Sequence, residues 1–349
     1  MRFLRWLRWG HISLWTTIER SALGLFYPEL LANFGIMLTL RVIFSWVRSI
    51  LGPPGITLLE QANLTVGYIM LTNISLVIEA CQQLNIIYEI LTPNQNLIRV
   101  QNCGQDYYFV NYCTPFDSAA IIEIFKDKEY TYQLLKGKIR TPQTVCFVSP
   151  FCDDKYRQYL TLQDCAQIAI EVTKIFPIPM IIKKNRGSAG NNVFLCEMPE
   201  QIQAAIETVF NVNSKDYDYI CLAQEYIDIR HEYRAVFFNK KLVLLYEKDK
   251  SGAKFMGNLS PLHWEGAKAK HIIDSKIVSE IESFVQPVFA EISVNYGGFD
   301  IAIDQNGKYW LIEINSSPNY DIFVRDNDRQ IVVTMFKDIL ESLVVNKNM

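Results

Sequence analysis

Two acids near the C-terminal end, Asp300 and Glu313, lie in the segment Gly-Gly-Phe-Asp-Ile-Ala-Ile-Asp-Gln-Asn-Gly-Lys-Tyr-Trp-Leu-Ile-Glu-Ile-Asn of residues 297–315. Asn306-Gly307 between two alternating apolar runs is the signal of a two-residue type I′ hairpin. That loop pairs Gln305 with Lys308 and, counted back along both strands, sets Asp300 opposite Glu313. Asn315 points to the same face, because side chains alternate with period two. Phe299, Ile301, Ile312 and Ile314 then face a core. A four-residue loop keeps the three polar residues on one face with the acids diagonal, and a three-residue loop separates them. Carboxylates directly opposite each other destabilise a sheet, so one holds a proton or a cation lies between them. Two carboxylates and an amide oxygen are hard ligands, suited to Mg²⁺ or Mn²⁺. The competing reading is a polar, solvent-facing strand pair.

A second constellation is Lys183 at the end of an apolar strand, followed by the small-residue loop of residues 185–192 with Gly187, Ser188 and Gly190. Glycines let backbone N–H groups approach phosphate oxygens, and a lysine meets phosphate as a point charge. The loop lacks the Gly-Lys-Ser/Thr of a P-loop and the spacing of a dinucleotide fingerprint. Upstream, Lys126-Asp127-Lys128 is by itself a solvated charge run. Downstream, Gln224-Glu225-Tyr226-Ile227 ends a strand whose free backbone edge could receive a purine.

The elements that must hold these residues follow from periodicity. A helix over 76–84, a strand over 86–91 and a short strand near 107–110 make a small α/β unit. Helices are expected over 121–135, 162–175, 201–210, 275–292 and 331–344. Strands are expected over 145–148, 180–183, 193–196 and 220–224, with hairpins over 232–248 and 297–315. In the first hairpin a two-residue turn sets Glu232 opposite Glu247, and a three-residue turn sets it opposite Lys248. Hairpins dominate the second half, so the fold class is α+β rather than a purely parallel α/β sheet.

The first fifty residues have another character. They hold Trp6, Trp9, Trp15 and Trp46, and Arg2, Arg5, Arg8, Arg20, Arg41 and Arg48 against Glu19 and Glu29. Arginines at helical spacing among aromatics suit peripheral contact with an anionic membrane surface. The alternative is an extension packed on the body or on a second subunit of a homo-oligomer. Pro28, Glu29 and Asn33 interrupt the apolar stretch over 21–40, which makes a poor transmembrane helix, and no signal-peptide pattern follows. Gly52-Pro53-Pro54-Gly55 reads as a break. The domains expected are therefore an aromatic, basic extension over 1–60, a small α/β domain over 61–125 and the main domain over 126–345. Across 349 residues the formal net charge is -3, which gives no basic field for nucleic acid. The eight cysteines form no zinc-type spacing, and a reducing, cytoplasmic compartment is expected.

Taken in order, these segments resemble the ATP-grasp superfamily, in the branch of the ribosomal-protein glutamate ligases and the cyanophycin- and glutathione-synthetase-type enzymes. The resemblance runs from about residue 64 to residue 345. Asp127-Lys128 with Thr141-Pro142-Gln143-Thr144 looks like the entry signature, whose lysine touches nucleotide phosphate. Lys183 with Gly187-Ser188-Ala189-Gly190 looks like the phosphate loop, and residues 224–227 look like the adenine hinge. Glu232 and Arg234 resemble a ribose-side acid and its following arginine. Lys248 and Asn258 fall where residues meet the phosphates, and Asp300, Glu313 and Asn315 match the metal ligands. Glu-Ile-Asn-Ser-Ser-Pro at residues 313–318 is the most specific string.

Departures are Lys184 for a proline, Asn191-Asn192 for a glycine-rich end, and Asn319 where glycine is common. The resemblance implies two subdomains sandwiching ATP with Mg²⁺ (or Mn²⁺), and catalytic roles for Lys248, Asn258 and Arg234. It implies a ligase that activates a small-molecule acid as an acyl phosphate for attack by an amine, on an amino acid or peptide-like substrate. The competing class is a nucleotide-binding regulatory or membrane-associated protein that keeps the fold without turnover.

Overall fold

The computed structural model describes residues 69–345. The basic, aromatic extension and the Gly-Pro-Pro-Gly break lie outside the described residues. Among the described residues no helix is long and apolar enough to cross a membrane.

The described chain begins with α1 (Thr72–Leu84) and the strands β1 (Ile87–Ile90), β2 (Leu97–Asn102) and β3 (Gln105–Val110). They form a three-stranded antiparallel sheet in the order β1-β2-β3. Strand β2 was not expected from the sequence. Its signal was there: Ile98 and Val100 alternate with Arg99, and Cys103-Gly104 follow with φ of 48° and 71°, the two left-handed residues of a type I′ turn.

The helix expected over 121–135 is two helices, α2 (Ala119–Lys126) and α3 (Lys128–Leu135). Asp127 parts them: its backbone is extended (φ -108°, ψ 106°), and its carboxylate accepts from Tyr130 N at 3.0 Å. An N-cap acid is worth about 1 kcal/mol relative to alanine. The break makes Lys128 the first residue of α3. A lysine there faces the positive end of the helix dipole, an unfavourable place for it unless an anion joins them.

Two larger antiparallel sheets follow. The first runs β4-β7-β5-β6, from β4 (Thr144–Val148), β5 (Met180–Lys184), β6 (Val193–Cys196) and β7 (Ile220–Glu225). Helices α4 (Cys165–Ile175) and α5 (Pro199–Val209) cover its apolar face, where Ile168, Val172, Ile182 and Ile206 are buried. The second sheet runs β10-β9-β8-β11-β12. It contains β8 (Ile229–Phe238), β9 (Lys241–Asp249), β10 (Lys268–His271), β11 (Tyr296–Asp304) and β12 (Tyr309–Asn315). Strand β10 reads Lys-Ala-Lys-His, and its single apolar residue gave the sequence no strand signal.

This second sheet is buried on both faces. Val236, Phe238, Leu244 and Tyr296 pack with α1, the small sheet and the C-terminal helix α8 (Arg329–Val345). Ala235, Phe237, Phe299 and Ile301 pack instead against α6 (Ser275–Glu291). A short helix, α7 (Asp321–Asp326), links β12 to α8.

Candidate active site

The acid hairpin reaches its expected pairing by an unexpected route. Asp304 N donates to Lys308 O and Gly307 N donates to Asp304 O, both at 3.0 Å. The loop therefore holds three residues, with Gly307 left-handed at φ 76°, a turn closed by a one-residue bulge rather than a type I′ pair. Asp304 fixes it by accepting from Asn306 N, Lys308 N and Trp310 Nε1. Alone, that loop would separate the acids. A second irregularity between Asp300 and Ile301 restores the count, and Asp300 pairs with Glu313. The bulge also rotates Leu311 into the core and leaves Ile312, expected there, only partly buried.

Cations of the chain itself stand against Asp300. Asp300 is 3% exposed. Arg234 Nη2 donates to Asp300 Oδ2 at 2.9 Å, Arg234 Nε pairs with Oδ1, and Lys248 Nζ lies 3.0 Å from Oδ2. Burial opposes ionisation of Asp300, but Arg234 and Lys248 outweigh it and hold the carboxyl well below the usual range. Glu313 lies at the cleft, where Lys128 Nζ is 3.7 Å from Oε2 and Asn315 Nδ2 donates to Oε1 at 3.1 Å.

Lys248 also pairs with Glu232. The first hairpin thus resolves its open register. Asn239 and Lys240 form a two-residue turn with φ of 46° and 67°, and a bulge between Val236 and Phe237 adds the extra residue. Tyr233 pairs with Glu247, which brings Glu232 to Lys248.

The facing wall is the four-stranded sheet. Lys183 is buried, and its hydrogen-bond partner among the described residues is Gln224 Oε1 at 2.9 Å. Gln224 Nε2 donates in turn to Thr144 Oγ1 at 2.8 Å. The hinge continues with Glu225, which accepts from Gln143 N at 2.6 Å, then with exposed Tyr226 and half-buried Ile227. The two walls enclose a cleft lined by Lys128, Thr144, Lys183, Gln224, Leu311 and Glu313.

The glycine loop is held from both sides. Lys128 Nζ donates to Gly187 O at 2.7 Å, and Asn258 Nδ2 donates to Ala189 O at 2.8 Å. Gly190 has φ 71°, and a Cβ there would lie 2.1 Å from Asn258 Oδ1. Both conformation and contact therefore require glycine. Ser188 makes a local turn, its carbonyl accepting from Asn191 N. The departure Lys184 pairs with Asp216 at 3.0 Å.

Sequence reasoning missed Asn185, a buried residue whose Oδ1 accepts from Glu129 N at 2.9 Å. It ties the strand of Lys183 to the helix that begins at Lys128. No sequence pattern marks such a contact across 56 positions.

The charges decide what the cleft wants. Lys128 faces Glu313, while Arg234 and Lys248 share Asp300 and Glu232. Among the described residues Lys183 has no acid at ion-pair distance. Burial, with Lys128 nearby, pulls its ammonium down to about 8. A phosphate beside Lys183 would raise that value, so binding would take up a proton above pH 8. Mg·ADP affinity measured by fluorescence titration should be flat from pH 6.5 to 7.5. It should then weaken by up to about tenfold per unit above pH 8, and Lys183→Met should remove that slope. A flat profile to pH 9.5 would remove Lys183 from the phosphate site.

The divalent-metal expectation meets a suitable donor set. Asp300 and Glu313 are paired across β11 and β12, and Asn315 is bonded to Glu313. These are hard oxygen donors. Lys128 and Lys248 already stand against their carboxylates, so the site draws cations. Among the described residues no group of three His, Cys, Asp or Glu side chains offers another metal site.

A cleft walled by two antiparallel sheets, with lysines from each wall and a glycine loop over it, defines the ATP-grasp class. Residues 154–339, more than half of the chain, match the RimK-like ATP-grasp domain. The chain belongs to the RimK-like ATP-grasp family, and its enzyme class is the ADP-forming carboxylate–amine ligases.

Solved structures similar to it include the D-alanine–D-alanine ligase of Bacillus anthracis, at 15% identity and a TM-score of 0.45, covering 64% of this chain and 70% of that one. An ATP-grasp RimK domain protein of Sphaerobacter thermophilus DSM 20745 shares 14% identity at a TM-score of 0.44, covering 64% and 71%. A bifunctional glutathione synthetase of Pasteurella multocida shares 14% identity at a TM-score of 0.46, covering 78% of this chain and 44% of that one. No curated protein matches the chain.

Proposed function

We propose that this chain uses Mg·ATP to join the carboxylate of an amino acid or peptide-like substrate to an amine. The observation that carries this reading is Lys183, a buried lysine with no acid at ion-pair distance among the described residues. ATP, as co-substrate, supplies the phosphoryl group that turns the acid into an acyl phosphate, and the amine then displaces phosphate. Asp300, Glu313 and Asn315 would hold Mg²⁺, which would supply charge neutralisation at the nucleotide phosphates.

The chain's own residues provide position and charge more than covalent chemistry. Lys183, from the four-stranded sheet, and Lys128, from the start of α3, approach the phosphates. Gly187, Ser188 and Gly190 present backbone N–H groups to them, and Asn258 fixes that loop. The free edge after Gln224, through Glu225, Tyr226 and Ile227, receives adenine, and Glu232 receives the ribose side. Arg234 and Lys248 stabilise charge that builds during transfer. They are already held in place by Asp300, so little reorganisation accompanies the reaction.

Phosphate release from Mg·ATP, screened against paired amino acids and small carboxylic acids, tests the proposal. Release should require both an acid and an amine. Release at the same rate without either, or none with any pair by a protein that binds Mg·ADP, would reject ligase turnover.

A further inference from the structure

Beyond β12 the chain runs through Ser316, Ser317, Pro318 and Asn319 to Tyr320 before α7 begins. This loop leaves the acid strand directly and flanks Gly298 together with Arg234. Gly298 lies on β11. A Cβ there would lie 2.9 Å from Arg234 Cδ and 3.0 Å from Pro318 Cβ. Arg234 and Pro318 therefore both border the space that a side chain at Gly298 would fill. Tyr320 is fully buried, and its hydroxyl pairs with that of Tyr296, two residues before Gly298.

The loop's backbone is held from outside the main sheets. Asn73, 6% exposed and in the first turn of α1, donates through Nδ2 to Pro318 O at 2.9 Å. Its Oδ1 accepts from Tyr320 N at 3.2 Å. Both halves of the amide are used, one as donor and one as acceptor, as a buried asparagine requires. The contacts span 245 and 247 residues. The base of this clamp is itself fixed on α8. Arg329 Nε donates to Glu79 Oε2 at 2.7 Å, and Arg329 Nη2 to Ser75 Oγ at 2.9 Å.

We infer that Asn73 is a positioning residue: from the small α/β unit it sets the backbone of residues 318–320, and through Pro318 it sets the seat of Arg234 beside Asp300. The inference rests on the ligase reading for its effect on turnover. It concerns the seat of Arg234 rather than the part of the nucleotide site built by Lys183 and Gln224, which stand on the other sheet.

The test compares Asn73→Leu, which removes both bonds at similar volume, with Asn73→Asp, which keeps the acceptor for Tyr320 N and removes the donor to Pro318 O. Hydrogen exchange read by mass spectrometry should be at least tenfold faster over residues 317–322 in Asn73→Leu, with β5 and β7 unchanged. In Asn73→Asp the Tyr320 amide should stay protected. Phosphate release with Mg·ATP and an amino-acid mixture should fall at least tenfold in Asn73→Leu and less in Asn73→Asp, with half-saturating ATP within twofold of wild type. Unchanged exchange over 317–322, exchange rising equally in all core segments, or half-saturating ATP rising in step with the lost rate would each overturn the inference. A wild-type protein that releases no phosphate would reject the ligase reading alone, and the exchange result would then decide the place of Asn73.

Discussion

Glu313→Gln should abolish turnover in a protein that remains folded. Glu313 lies at the cleft with 27% of its side chain exposed, 3.7 Å from Lys128. An ion pair of that length and exposure contributes at most about 1 kcal/mol to stability. Glutamine keeps the shape and can still accept from Asn315, so the melting temperature should move by no more than a few degrees. The chemistry is affected differently. On the proposed function the amide removes one of two charged ligands for a divalent cation, and it leaves Lys128 without an acid at ion-pair distance among the described residues. Loss of a single preorganised electrostatic contact at a transition state costs about a hundredfold to a thousandfold in rate. Phosphate release should fall by at least about a hundredfold, and the circular dichroism spectrum should be unchanged. A folded Glu313→Gln protein working at the wild-type rate would remove Glu313 from the site.

The acid pairing was legible because β-strands alternate with period two and because Asn306-Gly307 marks a turn. The way the chain achieves it was not. The three-residue loop and the bulge at Asp300 each shift the register by one, and their effects cancel. In the other hairpin the Asn239-Lys240 turn is the two-residue alternative, and the bulge at Val236 alone adds the residue that brings Glu232 to Lys248. Bulges depend on packing across the sheet, and a single strand does not record them. The break at Asp127 was hidden for a related reason. Apolar spacing continues through it, and only the capping bond to Tyr130 distinguishes two helices from one.

Lys128 and Lys183 were found by type and motif. Their fixation by Asn185, and that of the loop by Asn73, are side-chain contacts between distant segments. A cation against the acids was expected, but cations from the chain itself were not: Arg234 and Lys248 on the neighbouring strands β8 and β9 were not counted with the hairpin.

That neutralisation makes Asp300 the opposite case to the acid it faces. Asp300→Asn should lose stability and activity together. Arg234 and Lys248 have about 14% and 5% of their side chains exposed, and Asp300 and Glu232 are the acids that balance them. Without Asp300, Glu232 still answers Lys248, and the buried charge of Arg234 is left over. Breaking a buried pair from one side typically costs about 3–5 kcal/mol, a large part of a total stability of about 5–15 kcal/mol. The melting temperature should drop by on the order of 10 °C.

The pH dependence follows from the sign of the shift. Asp300 is held below the ordinary carboxylate range, so its contribution is complete above about pH 4. It is lost only as strong acid protonates it. The gap between wild type and Asp300→Asn should therefore be constant from pH 5 to 8 and close only under strongly acidic conditions.

Removing a cation as well separates charge balance from packing. Asp300→Asn with Arg234→Met leaves Lys248 facing its partner Glu232 without the excess charge. It should recover at least half of the lost melting temperature while phosphate release stays absent. If the single variant melts within 2 °C of wild type, Asp300 does not balance these cations. If the double variant melts no higher than the single one, the loss comes from packing rather than charge.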